Sequence, residues 1–197
     1  MTPINAIMSR IITVQNHSMK KILAFSGSFS ANSINHKLVA HGADLITKAE
    51  VSIIKLSDFD APIYRKELEA ELGIPVNIQK LRVLFDASDA FLISTPEYNG
   101  SLPAGLKNTL DWVSRMEGKI FQDKPVLLMA TSPGASGGQT VLNHLSGVLP
   151  FWGAQLVGTF SLPKFGENFS DGKITNSELA DSLKSRIKEL TDKLEQT

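Results

Sequence analysis

The residues best suited to chemistry follow the apolar stretch 90–94. They read TPEYNGSLPAGLKNTLDW and occupy positions 95–112. Pro96 restricts the backbone where the stretch ends, Gly100 permits close approach of a ligand, and Tyr98 offers an aromatic face. The stretch 90–94 is predicted to be a buried strand, and ligands of open α/β sheets bind at the carboxyl ends of strands. The segment therefore predicts a ligand-binding loop.

A second candidate loop, GSFSANSIN at residues 27–35, follows the first apolar stretch and precedes a segment with helical spacing. Backbone N–H groups and the helix dipole at such a position favour an anion. Ser28, Ser30 and Ser33 add hydroxyl donors, and the carboxamide of Asn35 adds an amide donor. The loop predicts a phosphate site. The alternative is that Ser33 caps the helix while its neighbours only form a turn. The sequence matches neither a Walker loop nor the GxGxxG fingerprint.

A third loop, TSPGASGG at residues 131–138, follows another apolar stretch. Gly134, Gly137 and Gly138 allow tight backbone turns, and Ser132 supplies a hydroxyl. Alone, this loop is also typical of the ordinary start of a helix. Three such loops, each after a predicted strand, together favour a shared binding site.

Strands and helices are predicted to alternate along the chain. Strands are expected at 20–25, 51–56, 90–94, 125–131 and 155–160, and helices at 35–48, 76–87, 103–115, 137–150 and 176–195. Residues 57–74 are expected to form a surface connection. This alternation predicts an α/β fold with a parallel sheet and right-handed crossovers. The economical arrangement is a flavodoxin-like three-layer sandwich with strand order 2-1-3-4-5, whose ligand site lies between the first and third strands.

The first two loops resemble those of the NAD(P)H-dependent FMN reductases, a family that includes chromate, quinone and azo reductases. The PEYN segment matches almost letter for letter. The family pattern Gly-Ser-x-Arg-x-x-Ser-x-Asn is matched at Gly27, Ser28, Ser33 and Asn35, and it is broken at Ser30, where most members carry arginine. An arginine would give a charge-assisted phosphate contact. Lys37 could partly replace it, although an exposed position on the helix is the simpler interpretation.

The resemblance implies that FMN is the cofactor and that NADH or NADPH is the electron donor. Two electrons would pass through FMN to a small acceptor such as a quinone, an azo compound, chromate or free flavin. The implied FMN-binding residues are Ser28, Ser30, Ser33, Ile34, Asn35, Pro96, Glu97, Tyr98, Asn99, Ser101, Ser132, Gly134, Gly137 and Gly138. Glu97, Tyr98 and Asn99 would present backbone groups to the flavin edge. The alternative is a flavodoxin-type electron carrier without nicotinamide oxidation.

No catalytic side chain is predicted, because the cofactor carries the chemistry. Glu97 could act as a general base, but a solvated loop carboxylate is the more common role, and hydride transfer to a flavin requires no base from the protein.

The helix at 103–115 mixes polar and apolar residues on more faces than one sheet contact requires. Lys107, Asn108 and Asp111 are interpreted as structural or interface residues, and Trp112 as core or subunit interface. The resemblance places a second subunit near the flavin. A homodimer or homotetramer is therefore predicted, with this helix at or near the contact.

Composition excludes several other classes. The chain has 20 basic and 20 acidic residues, which argues against a nucleic-acid partner. It has no cysteine, which excludes disulfides and thiolate catalysis. His36 and His41 are spaced off a shared helix face, and no HExxH motif is present, so no metal is predicted.

The 197 residues suit one domain. Residues 1–18 are expected to be an N-terminal extension, disordered or upstream of the native start, and residues 19–197 the reductase domain. The extension lacks the pattern of a secretory signal, and no apolar stretch reaches the roughly 20 residues of a membrane span. A cytoplasmic location with no membrane partner is predicted.

Overall fold

Five parallel strands form the central sheet of the computed structural model, which describes residues 19–196. They are Lys21–Ser26 (β1), Glu50–Lys55 (β2), Ala90–Thr95 (β3), Lys124–Thr131 (β4) and Ala154–Leu162 (β5). Their order across the sheet is β2-β1-β3-β4-β5, which confirms the predicted flavodoxin-like topology. The expectations for residues 1–18 lie outside the described residues.

Helices cover both faces of this sheet. They are Ile34–Asp44 (α1), Lys66–Leu72 (α2), Val76–Asp86 (α3), Ala104–Val113 (α4), Gln139–Val148 (α5), Phe165–Asn168 (α6) and Ser177–Leu194 (α7). A hairpin of Phe169–Ser170 (β6) and Lys173–Ile174 (β7) precedes α7. All predicted strands and helices are present, and their ends differ from the predicted ones by at most four residues. Within residues 19–196, no helix has the length and apolar character that a membrane crossing requires.

The alternation of side chains along the strands builds two apolar layers. Leu23 and Phe25 of β1 pack in one core with α3, α4 and α5, whereas Ile22 and Ala24 pack in the other with α1 and α7. Every residue of β3 is buried, as expected for a central strand covered on both faces. The carboxyl ends of β1, β3 and β4 therefore meet at one rigid edge of the sheet.

The connection at 57–74 contains more structure than predicted. It includes α2 and, at its start, the 3-10 helix Leu56–Phe59, so that β2 ends at Lys55 and Leu56 lies in the core. The α2 sequence KELEAEL consists of good helix formers with acidic residues in the first turn, which complement the helix dipole.

Trp112 is a core residue, which decides between the two predicted roles. Its side chain is fully buried, its Nε1–H donates to the Pro62 carbonyl at 2.7 Å, and the Tyr64 ring packs edge-on with 5.0 Å between centroids. Asn108 holds the same connection, because its Oδ1 accepts from the Tyr64 N–H at 2.8 Å. Both residues fasten the connection to α4. Of the predicted interface residues, Asp111 is solvent-accessible and forms an ion pair with Lys107 at 2.6 Å.

Candidate functional site

The three predicted loops line one cleft at the carboxyl ends of β1, β3 and β4. The cleft has a volume of about 210 Å³. Its lining residues are Ser28, Ser30, Asn32, Ser33, Ile34, Asn35, Pro96, Glu97, Tyr98, Thr131, Ser132 and Pro133. It lies where the strand order reverses between β1 and β3, as predicted from the topology.

The lining differs in part from the predicted set. Asn99, Ser101, Gly134, Gly137 and Gly138 lie in the same loops but do not line the cleft. Asn32, Thr131 and Pro133 line it without having been predicted. Their positions within the recognised loops were the only sequence signal available for them.

Serine hydroxyls shape the loop before α1, hereafter the serine loop (residues 27–33). The Ser28 N–H donates to Ser26 Oγ at 3.1 Å, and the Ser30 N–H donates to Ser28 Oγ at 3.2 Å. Ser33 caps α1, because its Oγ accepts from the His36 N–H at 3.1 Å. The cap role and the phosphate role are compatible, since a hydroxyl that accepts one bond still has a hydrogen to donate.

The first turn of α1 leaves donors available at the cleft. The N–H groups of Ile34 and Asn35 have no acceptor among residues 19–196. Together with the Ser28 and Ser33 hydroxyls, they form a cluster of neutral donors at the positive end of a helix dipole. Such a donor set suits a phosphate monoester.

The side chain of Asn35 has a structural role in addition to the predicted one. It is buried, its Oδ1 accepts from Ser94 Oγ–H at 2.7 Å and from the Thr131 N–H at 3.0 Å, and its Nδ2–H donates to the Thr131 carbonyl at 3.1 Å. These bonds join α1 to the ends of β3 and β4. The Oδ1 atom and one Nδ2 hydrogen of Asn35 are therefore bonded within the protein, which leaves its backbone N–H and its second Nδ2 hydrogen as donors for a ligand.

The PEYN segment forms a tight turn. Hydrogen bonds within this turn occupy backbone groups that were expected to face the flavin. The Tyr98 N–H donates to the Ser101 carbonyl at 2.9 Å, and the Ser101 N–H donates to the Tyr98 carbonyl at 3.1 Å. Asn99 and Gly100 have φ values of 51° and 76°, as a type I′ turn requires. The backbone of Tyr98 is thus paired within the turn, while its half-exposed ring lines the cleft.

Glu97 accepts a hydrogen bond from a helix. Its Oε2 accepts from the Val141 N–H at 3.1 Å, in the first turn of α5. A carboxylate at a helix N-terminus is stabilised by the dipole and satisfies a free donor. Nearby, Ser101 Oγ lies 3.1 Å from His144 Nδ1 of α5. The second loop is therefore fastened to the helix that follows the third loop.

Two of the three predicted glycines in the third loop are required by the fold. Gly138 has a φ of 81° at the N-cap of α5, and a Cβ there would lie 2.7 Å from Ala130 Cβ. Gly137 has a φ of 59°, and a Cβ would overlap Ser161 Oγ. Gly134 is different, because a Cβ there meets nothing closer than Ser132 Oγ at 4.0 Å.

The serine loop contains no charged side chain, so positive charge near it comes from other elements, such as Lys55 of β2. Burial, together with the Lys55 ammonium, lowers the pKa of His36, so its imidazole is neutral at pH 7. Among residues 19–196, no group of three His, Cys, Asp or Glu side chains is placed to hold a metal ion.

Comparison with known proteins identifies the family. A profile described as NADPH-dependent FMN reductase matches residues 20–167. The chain belongs to this family. The serine loop, the PEYN turn and the third loop all fall within the matched residues.

Relatives agree with this assignment. A quinone reductase of Escherichia coli K12 is 33% identical over 138 residues, covering 70% of this chain and 73% of that protein. An NAD(P)H-dependent FMN reductase of Pseudomonas aeruginosa is 34% identical over 132 residues, covering 66% of this chain and 70% of that protein. The structure of FerB, a flavoenzyme NAD(P)H:(acceptor) oxidoreductase from Paracoccus denitrificans, aligns with a TM-score of 0.74 and 29% identity over 90% of this chain and 98% of FerB.

As a member of the FMN reductase family, the chain is an FMN-dependent oxidoreductase with a nicotinamide electron donor. The cleft suits that cofactor. Its neutral donors at the start of α1 match a phosphate, and Pro96, Tyr98 and Pro133 add apolar and aromatic surface for a flavin ring.

Proposed function

We propose that the cleft binds FMN with its phosphate at the serine loop and its ring between the second and third loops. The hydroxyls of Ser28, Ser30 and Ser33 and the backbone N–H groups of Ile34 and Asn35 would hold the phosphate. Pro96, Glu97, Tyr98, Asn99 and Ser101, together with Ser132, Gly134, Gly137 and Gly138, would position the ring, directly or by fixing loop shape. The single observation that supports this placement is the continuity of one cleft across all three loops.

When bound, FMN would supply the two-electron chemistry between NADH or NADPH and an acceptor. The protein's own contribution is placement. Asn35 locks the start of α1 to β3 and β4, and Glu97 locks the PEYN turn to α5. Among the described residues that line the cleft, Glu97 is the only carboxylate, and its Oε2 is bonded to the Val141 N–H, so we infer that the proton that accompanies hydride transfer to the acceptor comes from solvent.

Flavin titration of the purified, flavin-free protein tests the site. One FMN per chain is expected to bind and to lose its visible absorbance when NADH or NADPH is added without oxygen. Ser33→Ala is expected to weaken FMN binding about fivefold, since one hydrogen-bond donor is lost. Asn176→Ala is the matched control, because Asn176 caps α7 in the same way, accepting from the Leu179 N–H at 3.1 Å. Equal FMN affinity in the Ser33→Ala and Asn176→Ala variants would contradict the phosphate placement.

We propose a quinone as the electron acceptor. The support is that relatives from Escherichia coli and Burkholderia are named a quinone reductase and a 2-hydroxy-1,4-benzoquinone reductase. Azo compounds, chromate and free flavin remain the competing acceptors. Steady-state oxidation of NADH and of NADPH with each acceptor class in turn is expected to give the highest kcat/KM with a quinone. A higher value with any other class would replace this assignment.

We also propose that the enzyme is a cytoplasmic homodimer or homotetramer whose contact includes the exposed side of α4. Because Trp112 is buried, accessible residues such as Asp111 would form the contact. Asp111→Arg is expected to lower the mass measured by light scattering. Asp181→Arg on α7 is the control, because Asp181 forms a comparable exposed pair with Lys184 at 2.9 Å. A monomeric wild-type enzyme with full activity would refute the proposal, and cell fractionation tests the location.

A further inference from the structure

A second cavity adjoins the cleft at the serine loop. It has a volume of about 190 Å³, and its lining includes Ser28, Ser30, His36, Lys55, Ser57 and Asp58. Ser28 and Ser30 line both cavities. The serine loop therefore lines both the cleft and a cavity that extends to Lys55 at the end of β2.

Lys55 is the lysine that lines this second cavity, and it has no ion-pair partner among residues 19–196. It is the last residue of β2, it is exposed, and it forms no ion pair or side-chain hydrogen bond with residues 19–196. Asp58 lines the same cavity without pairing with it. By contrast, Lys107 and Lys119 each pair with an aspartate four residues later. The Lys55 ammonium is thus available to bind an anion.

The sheet register places Lys55 beside the start of the serine loop. Lys55 pairs with Ser26 across the parallel ladder of β1 and β2, and adjacent strands are about 4.8 Å apart. Ser26 Oγ accepts from the Ser28 N–H and lies 3.4 Å from Ser33 Oγ. The field of Lys55 also reaches the first turn of α1, where it acts on His36.

We propose that Lys55 supplies the positive charge of the phosphate site and so makes the protein prefer FMN over unphosphorylated riboflavin. This inference rests on the proposed placement of the FMN phosphate at the serine loop. The loop itself offers only neutral donors, whereas a phosphate monoester carries about two negative charges at pH 7. A cation reaching the loop from β2 would compensate those charges, and charge-assisted contacts are stronger than neutral ones.

Titration of three variants with FMN and with riboflavin tests the role of Lys55. Lys55→Met is expected to weaken FMN binding about tenfold, the effect of losing one charge-assisted contact, and to leave riboflavin binding unchanged. Lys55→Arg keeps the charge and is expected to retain most of the FMN affinity. Lys37→Met is the matched control, because Lys37 is another exposed lysine near the serine loop, in the first turn of α1, but it lines a different groove with His41 and Asp44. It is expected to leave both affinities unchanged.

Salt provides a second readout. Added NaCl is expected to weaken FMN binding more in the wild type than in Lys55→Met, since screening acts on the interaction that the variant has lost. Melting temperatures check that the variants are folded.

The outcomes separate this inference from the proposed function. Equal losses of FMN and riboflavin affinity in Lys55→Met, or no loss of either, would overturn the role of Lys55 while FMN binding by the wild type stands. A change in the KM for NADPH but not NADH, with FMN affinity unchanged, would also overturn it by assigning Lys55 to the donor's phosphate. A wild-type protein that binds no FMN would instead refute the proposed function.

Discussion

The carboxylate of Glu97 accepts a hydrogen bond of 3.1 Å from the backbone N–H of Val141. This bond joins the PEYN turn, which lines the cleft, to the first turn of α5. A carboxylate engaged in this way is an acceptor for the helix and is poorly suited to remove a proton from substrate.

Substitution of Glu97 separates these two roles. Glu97→Ala is expected to lower the free energy of unfolding by about 1 kcal/mol, because α5 loses an N-terminal acceptor. Glu97→Gln retains an acceptor oxygen and is expected to recover part of that loss. Removing a true general base slows turnover roughly 100-fold or more, so a Glu97→Gln enzyme with most of its kcat at saturating FMN supports the structural role. A rate loss of that size without loss of stability would contradict it.

Substitution of Asn35 is expected to lower the free energy of unfolding more than it weakens ligand binding. Asn35→Ala leaves the Ser94 hydroxyl and the backbone groups of Thr131 without their buried partner, and is expected to cost about 2–4 kcal/mol. Asn35→Asp keeps the acceptors but not the donor, and should also be destabilised. Ser30→Ala, at an exposed loop position, should change stability by less than about 0.5 kcal/mol. Urea unfolding measures all three, and wild-type stability of Asn35→Ala would refute the role.

The sequence identified the sheet and the three loops because local patterns determine both. Apolar runs mark strands that are buried on both faces, and the loops are marked by glycine, proline and serine. The same reasoning missed α2, since no residue of α2 is buried and no apolar stripe marks it.

Roles that depend on distant partners could not be predicted. Asn35 bonds to Thr131, 96 residues away, and Glu97 bonds to Val141, 44 residues away. Lys55 belongs to no recognised loop, and only the pairing of β2 with β1 places it beside the serine loop. Sequence spacing indicates which residue types lie near a site, whereas the tertiary register decides which of them are available to a ligand.

Restoring a charge at position 30 is expected to tighten FMN binding. Ser30→Arg places a guanidinium in the cleft wall and should add about 1 kcal/mol to the binding free energy. If Lys55 already compensates the phosphate, the gain should be larger in the Lys55→Met background than in the wild type, because both cations act on the same group. A double-mutant cycle of FMN titrations measures this coupling. Equal gains in the two backgrounds would show that the two positions act on different groups.

Alanine substitutions of Gly138 and Gly134 in the third loop are expected to have very different effects on the free energy of unfolding. Gly138→Ala forces a non-glycine residue to a φ of 81° and places its Cβ 2.7 Å from Ala130 Cβ, so we expect a loss of about 2 kcal/mol or more. Gly134→Ala meets neither problem and should leave stability nearly unchanged. If Gly134 lies along the flavin as proposed, that variant should still weaken FMN binding. Melting curves and FMN titrations distinguish the two effects, and a fully stable Gly138→Ala variant would contradict the structure.

Stability is expected to fall on mild acidification because of His41. Burial lowers its pKa below the usual value of about 6.5, and Lys184 on α7 also lowers the pKa, whereas Asp44 on α1 opposes both effects. The imidazole packs edge-on against Phe169, with 5.9 Å between ring centroids. Between the folded and unfolded pKa values of His41, its imidazole binds more protons in the unfolded chain, so its contribution to the free energy of unfolding decreases as the pH falls below about 6.5. His36, whose pKa is also lowered, adds to the effect.

His41→Asn removes one titrating group. In urea unfolding from pH 8 to pH 5, the free energy of unfolding of this variant is expected to decline less steeply than that of the wild type. Referencing each protein to its own stability at pH 8, where the imidazole is neutral in both states, removes the packing cost of the substitution. An equally steep decline in both proteins would show that His41 is not a source of the acid sensitivity.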